Sequence, residues 1–237
     1  INNYTNLESL TYYNFCANFS RPVRLLMDSY SRHWNPIFMK TAQKDRKKIT
    51  DDLMPEYYHM ISIILIFGLI LSFFSEELIW IFLADNYQFV KFLVPMYVFQ
   101  LLFGCLNLLS FGQIMFSEKL IYFFYINFIQ TVVNASLSIL LIPQYGSFGA
   151  CVSLAFSSMA SAMIGLHFGQ KLFHIEINKG KIISQYFICF ILTCFLYFIL
   201  IIDLSLILKI ILKISIIISM VLMFKFLNVL KVDKLLN

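Results

Sequence analysis

Four charged side chains recur at helical spacing near the start of the chain. Arg21, Arg24, Asp28 and Arg32 follow intervals of 3, 4 and 4 residues, which at 100° per residue places them within an arc of roughly 80° on one helix face. Asn14 and Asn35 fall on the same face, and the ladder measures about 31 Å, close to the thickness of a bilayer's hydrocarbon core. Guanidinium groups stay charged and bind phosphate oxygens in pairs, so three arginines against one aspartate suit an anionic head group such as a pyrophosphate. An arginine or aspartate near the bilayer centre costs about 2.5–3.5 kcal/mol, whereas a leucine or isoleucine returns only about 0.3–0.6. This face is therefore expected to look into a protein interior or a water-filled cavity. The alternative is an Arg24–Asp28 pair, with Arg21 and Arg32 snorkelling to the interfaces. Pro22 is expected to kink the helix at its outer end.

Other polar residues form weaker patterns. Asn127, Gln130, Asn134 and Ser138 repeat the 3, 4, 4 spacing on another segment, where uncharged polar groups either line a cavity or hydrogen-bond a neighbouring helix. Gly149, Ser153, Ser157, Ser161, Gly165 and Gly169 recur every fourth residue, a ladder that lets a second backbone approach closely. Lys209 and Lys213 share a face of the last apolar run, and snorkelling toward the outer interface accounts for Lys209 more easily than for Lys213. Glu76 and Glu77 are neighbours; on a helix they point about 100° apart, so they are expected to mark an interfacial helix end, not to converge. His33, His59, His167 and His174 are scattered, and Cys16, Cys105, Cys151, Cys189 and Cys194 lie in apolar segments with no paired spacing. No GxxxxGK[ST], HExxH or GxSxG pattern occurs. No catalytic residue, cofactor or metal is expected.

The elements that must position these residues follow from composition. The 237 residues are 60% hydrophobic, 17% aromatic and 13% charged, with a net charge of +5 and a mean hydropathy of +0.79. A water-facing domain carries about 25% charged residues, so lipid is the expected solvent. Nucleic-acid binding would need basic residues gathered beside exposed aromatics, but here they sit in the gaps between apolar runs. Six runs approach the roughly 20 residues that span a bilayer: about 57–75, 90–116, 120–142, 147–170, 183–202 and 206–227. The charged segment, about 10–39, makes a seventh. Continuous runs exclude the alternating strands of a β-barrel. The expected fold is an all-α membrane bundle of about seven helices.

Loop charge orients the bundle. Lys40, Lys44, Arg46, Lys47, Lys48, Lys119, Lys171, Lys179, Lys181, Lys225, Lys231 and Lys234 fall on one side and only Lys91 on the other, with Glu76, Glu77, Asp85 and Asp203. The basic side, including the C-terminus, is expected in the cytoplasm. The chain opens at Ile1 without a basic n-region or cleavage site, so no signal peptide is expected and a longer parent protein is.

The stretch LIPQYGSFGACVSLAFSS, with Pro143, Tyr145, Gly146, Gly149 and Ala150, resembles the P-x-Y-G-x-x-G-A segment of the bacterial polysaccharide flippases, the O-antigen and capsule exporters of the multidrug/oligosaccharidyl-lipid/polysaccharide superfamily. FFSEELIWIFLADNYQFVKFLVPMYVF is similar to that family's amphipathic outer piece before a proline-containing helix, and YYNFCANFSRP…RHWNP resembles its tyrosine-initiated helix closed by proline. The resemblance implies that residues 1–182 form part of a C-terminal lobe of five helices, with a basic linker at 40–56, and that 183–237 add two helices and a cytoplasmic tail. An N-terminal lobe of the same protein is then the missing partner. The implied function is flipping of an undecaprenyl-pyrophosphate-linked glycan across the bacterial cytoplasmic membrane by alternating access, with membrane lipid as the other partner and coupling to an H+ or Na+ gradient left open. The spacing argument puts Arg21, Arg24 and Arg32 on the cavity wall with Asp28 as a moderating partner, and Asn127, Gln130 and Asn134 as further wall candidates.

Three alternatives stay open. A cation-coupled multidrug exporter would need intramembrane carboxylates, and Asp28 alone qualifies. A glycan polymerase or acyltransferase would need a larger hydrophilic loop or a His/Asp pair at the membrane face. A truncated gene product would lack the second lobe that a cavity requires.

Overall fold

Apolar runs in lipid have no water to satisfy their backbone groups, so each closes its hydrogen bonds within itself as a helix. The computed structural model describes residues 7–44, 46–82, 87–202 and 205–227, and among these there is no strand. The order is α1 (Leu7–Phe19), α2 (Arg21–Lys44), a single turn α3 (Arg46–Lys48), a π-helical turn (Ile49–Leu53), α4 (Met54–Phe73), α5 (Ser75–Phe82), α6 (Val90–Phe116), α7 (Ile121–Leu172), α8 (Lys179–Ile201) and α9 (Leu206–Phe226). The expected loop charges Asp85, Asp203, Lys231 and Lys234 lie outside the described residues.

Five helices are long and apolar enough to cross a membrane: Ile49–Phe73, Val90–Phe116, Ile121–Leu172, Lys179–Ile201 and Ile207–Phe226. The protein is an all-α, multi-pass membrane bundle. All six apolar runs appear, because the 52-residue α7 is two helices joined at Gly146. Tyr122 near its start stacks edge-on against Phe168 near its end, 4.9 Å between ring centroids, so the arms 121–145 and 147–172 run antiparallel. Gly146 turns the chain at φ 56° and ψ −132°, a region that side chains avoid. Gly149 then passes so close to the Leu141 carbonyl oxygen that a Cβ would collide with it.

The expected seventh span needs correction. Residues 10–39 form no single helix: α1 and α2 meet at Ser20, and neither is among the helices long and apolar enough to cross a membrane. The interruption also precedes Pro22, which sits in the first turn of α2, where its missing N–H has no intrahelical partner to lose. The expected linker 40–56 is helical through most of its length, with Ile49 and Leu53 buried.

The core gathers around α6. The second arm of α7 lays its small-residue ladder, buried from Gly149 to Gly169, against α6. A Cβ at Gly165 would lie 3.0 Å from Asn107 Oδ1, and one at Gly169 would lie 3.2 Å from Ser110 Cα. On another flank, α8 donates from the Tyr186 hydroxyl to the Leu102 carbonyl at 2.6 Å. It also sends Gln185 Nε2 to Ser62 Oγ of α4 at 2.8 Å. On a third, α2 buries Val23, Trp34 and Phe38, with the Phe38 ring 3.0 Å from where a Gly112 Cβ would stand.

The turn at Gly146 makes a direct prediction. Gly146→Ala is expected to cost about 1–3 kcal/mol through forced positive φ, read as a lowered melting temperature in detergent. Gly104→Ala, whose Cβ would meet only the flexible end of Met27, should melt within a few degrees of the parent. Equal melting of both variants would contradict the folded-back α7.

Candidate functional site

The buried face of α2 is apolar, and the charges lie on the face beside it. Arg21, Arg24, Asp28 and Arg32 are all exposed on it. Arg24 and Asp28 open onto a cavity of about 310 Å³ between α2, α6 and both arms of α7, shared with Ser31, Gln100, Asn107, Gln130 and Ser158. Gly104 also lines it. Gln100, Gly104 and Asn107 stand near the middle of the 27-residue α6, so the guanidinium and the carboxylate lie level with the middle of that span. Lipid tails cannot solvate either.

The polar wall is partly self-satisfied. Ser158 Oγ donates to Gln100 Oε1 at 2.9 Å. Asn107 Oδ1 is buried without a hydrogen-bond partner, an acceptor facing unfilled demand. On α2, Asn35 Nδ2 donates to Ser31 Oγ at 3.3 Å. Amides, hydroxyls, one guanidinium and one carboxylate together supply donors and acceptors of both signs. That set matches polyhydroxylated or charged ligands better than apolar ones.

The sequence-derived residues divide. Arg24, Asp28 and Gln130 line the cavity. Arg21 and Arg32 flank it on the same exposed face, and Asn14 belongs to the separate α1. No Arg24–Asp28 ion pair forms among the described residues. Asn127 is exposed and donates to its own turn at Phe123 O, 2.9 Å, while Ser138 Oγ donates to Asn134 Oδ1 at 3.4 Å. Their hydrogen bonds stay within the first arm of α7 and glue no neighbouring helix. The cavity also recruits Ser31, Gln100, Asn107 and Ser158. A signal for two of these was present: Gln100, Gly104, Asn107 and Phe111 follow 4, 3, 4 spacing along one face of an apolar run.

A second charged centre contradicts the expectation for Glu76, Glu77 and Lys209, and shows why snorkelling fits Lys213 poorly. Lys213 of α9 is fully buried, with Nζ 2.6 Å from Glu77 Oε1 and 3.4 Å from Glu76 Oε2. Lys91 Nζ of α6 donates to Glu76 Oε1 at 2.8 Å, and Lys209 approaches the same oxygen at 3.6 Å. The two carboxylates do converge, because one long lysine reaches both. Burial by itself would push the Glu76 carboxyl up, but the Lys91 hydrogen bond and the charges of Lys91, Lys213 and Lys209 outweigh it. They hold it below the usual carboxylate range. Snorkelling accounts for neither lysine: both spend their charge on α5.

The histidines and cysteines build nothing comparable. Among the described residues no group of three His, Cys, Asp or Glu could hold a metal ion. The five cysteines are free thiols, all buried except Cys194. No protein-family model, no curated protein and no solved structure matches the chain.

Removing one partner of a buried ion pair strands the other. Lys213→Met is therefore expected to destabilise the bundle by about 3–5 kcal/mol, and joint Glu77→Met and Lys213→Met to recover much of that loss. Melting in detergent checks both. A carboxyl held low in the fold contributes stability that is present above its unfolded value, about 4.3, and lost as pH falls through the folded value. The melting temperature should accordingly fall on acidification below about pH 4, and less so in a Glu76→Gln variant.

Proposed function

We propose that this chain is part of a flippase that moves a lipid-linked oligosaccharide across the bacterial cytoplasmic membrane. One observation carries the reading: Arg24 and Asp28 stand uncovered at mid-span depth in a cavity walled by amides and hydroxyls. A face of that kind cannot rest against lipid, so it borders water between this bundle and a second lobe. In the proposed cycle Arg24 takes the phosphate group bidentately, with Arg21 and Arg32 flanking it along the path. Gln100, Asn107 and Gln130 exchange hydrogen bonds with sugar hydroxyls, and Asp28 keeps the anion from binding too tightly to leave. The isoprenoid tail stays in the bilayer. Alternating exposure of the cavity to the two sides moves the head group without making or breaking a bond.

The Lys-rich end of the bundle is assigned to the cytoplasm by the positive-inside rule, which places the C-terminus there and the Glu76–Lys213 cluster outside. The unpaired Asp28 carboxylate supports a second reading, a cation-coupled multidrug exporter in which Asp28 holds the driving ion or the cationic drug.

The two readings part under mutation. Export of undecaprenyl-linked sugar is measured in cells carrying the full-length protein. Arg24→Ala should lower it about 10- to 100-fold, the equivalent of the ~1.5–3 kcal/mol of a hydrogen bond to a charged group, with Arg24→Lys falling between. Wild-type export from the Arg21→Ala, Arg24→Ala, Arg32→Ala triple variant would sink the flippase site. Sodium- or proton-driven efflux of a lipophilic cation, abolished by Asp28→Asn alone, would establish the exporter in its place.

A further inference from the structure

The helices beside the polar cavity are interrupted at one level. α1 and α2 run alongside α6 in the same direction: Tyr12 packs on Phe89 with ring centroids 5.9 Å apart, Met27 lies where a Gly104 Cβ would stand, and Phe38 lies against Gly112. That register sets the α1–α2 break at Ser20 within about one helical turn of Pro95 in α6. Both places are loosely bonded. Across the first, the Arg24 N–H reaches the Ser20 carbonyl only at 3.5 Å, and Ser20 Oγ is buried without a partner. In α6, Pro95 has no N–H to give the Lys91 carbonyl. The turn before it starts on i→i−3 bonds, Lys91 to Gln88 at 3.4 Å and Phe92 to Phe89 at 3.2 Å.

One side chain bridges the weak step in α6. The Tyr197 hydroxyl of α8 donates to the Phe92 carbonyl at 2.7 Å, and the Met96 N–H bonds to the same hydroxyl. Those two groups are the ends of a single i→i−4 step across Pro95, so the phenol staples the turn 90–94 to the rest of the helix. Phe148, just beyond the Gly146 turn, backs the Tyr197 ring edge-on at 6.3 Å. The start of α6 is joined in turn to α1, because Tyr12 and Phe15 both pack on Tyr87, at 6.0 and 5.7 Å. On the other side of Pro95, α1 touches α6 through Tyr13 and Tyr97 at 5.9 Å, within one turn of Gln100 in the cavity wall.

We infer that α1 and residues 87–94 swing as one leaf about Ser20 and Pro95, with Tyr197 as the latch that holds the leaf shut at the Arg24 end of the polar cavity. Opening parts Tyr13 from Tyr97; closing restores both bonds of the Tyr197 hydroxyl. Lys91 keeps its pairing with Glu76, because its flexible four-carbon stem turns with the leaf. The approaches that hold α6 to the second arm of α7, Ser158 on Gln100, Gly165 on Asn107 and Gly169 on Ser110, all lie beyond Pro95 and stay closed. A few residues at element ends are enough to absorb such a motion. The swing is a property of this chain, and its use as a gate rests on the flippase reading.

Amide hydrogen exchange of the purified full-length protein tests the leaf, read over peptides from 8–19, 87–99 and 100–116. Tyr197→Phe is expected to speed exchange about fivefold in the first two together, the equivalent of one lost hydrogen bond, and to leave the third unchanged. Adding Pro95→Ala, which returns a donor to the Lys91 carbonyl, should slow both again. Pro95→Ala alone should lower export of undecaprenyl-linked sugar without lowering the melting temperature, a split that a merely structural proline does not produce. Unchanged exchange in Tyr197→Phe, a rise confined to one of the two segments, or a rise spreading into 100–116 would each overturn the leaf. Wild-type export from Pro95→Ala would overturn the gate. Coupled exchange in a protein whose Arg24→Ala variant exports normally would leave the leaf standing and remove the flippase reading alone.

Discussion

The approach of two backbones, α6 and the second arm of α7, is the contact on which the remaining structure depends. Lipid supplies no hydrophobic drive for helices to associate, so close van der Waals packing has to do so. The residues from Gly149 to Gly169 present little more than hydrogen or a hydroxymethyl group to α6, and Gly165 and Gly169 leave room for Asn107 and Ser110. Once that pair is set, α6 offers its other flanks to α2 and α8. The polar cavity and an apolar groove between α6, the second arm of α7 and α8 are clefts left beside it.

Charge in this bundle is handled in two opposite ways. At one end of α6, Lys91, Lys209 and Lys213 close on Glu76 and Glu77, so that a fully buried lysine finds two acceptors and α9 is fastened to α5. Such a cluster answers most of its own desolvation through ion pairs, although Glu77 Oε2 is left buried without a hydrogen-bond partner. Along α2 the charges find no such answer. Arg24 and Asp28 share a cavity yet do not pair, and the face they occupy is uncovered. A protein that can build the first arrangement could have neutralised the second. The contrast is why the α2 face, and not the more tightly bonded cluster, is read as the working surface.

The apolar runs, their number and the small-residue ladder were legible in the sequence, because each depends on local composition and a short period that one helix satisfies alone. The same holds for the break between the runs at about 120–142 and 147–170, where Gly146 takes up a backbone conformation that other residues avoid. The shared face of Arg21, Arg24, Asp28 and Arg32 was likewise readable from spacing. The extent of their helix was not, because the break at Ser20 lies inside a segment whose periodicity continues across it.

What tertiary structure alone decided is which faces meet. Periodicity places Gln130 and Asn127 on one stripe, but only the fold of α7 back on itself brings Gln130 to the cavity and leaves Asn127 outside. Glu77 and Lys213 stand 136 residues apart, and no local pattern announces that a lysine in the last span will reach a carboxylate beyond the end of α4. Spacing along a chain fixes directions around one axis. The distance between two axes, and therefore every pairing between helices, is set by packing that no single segment contains.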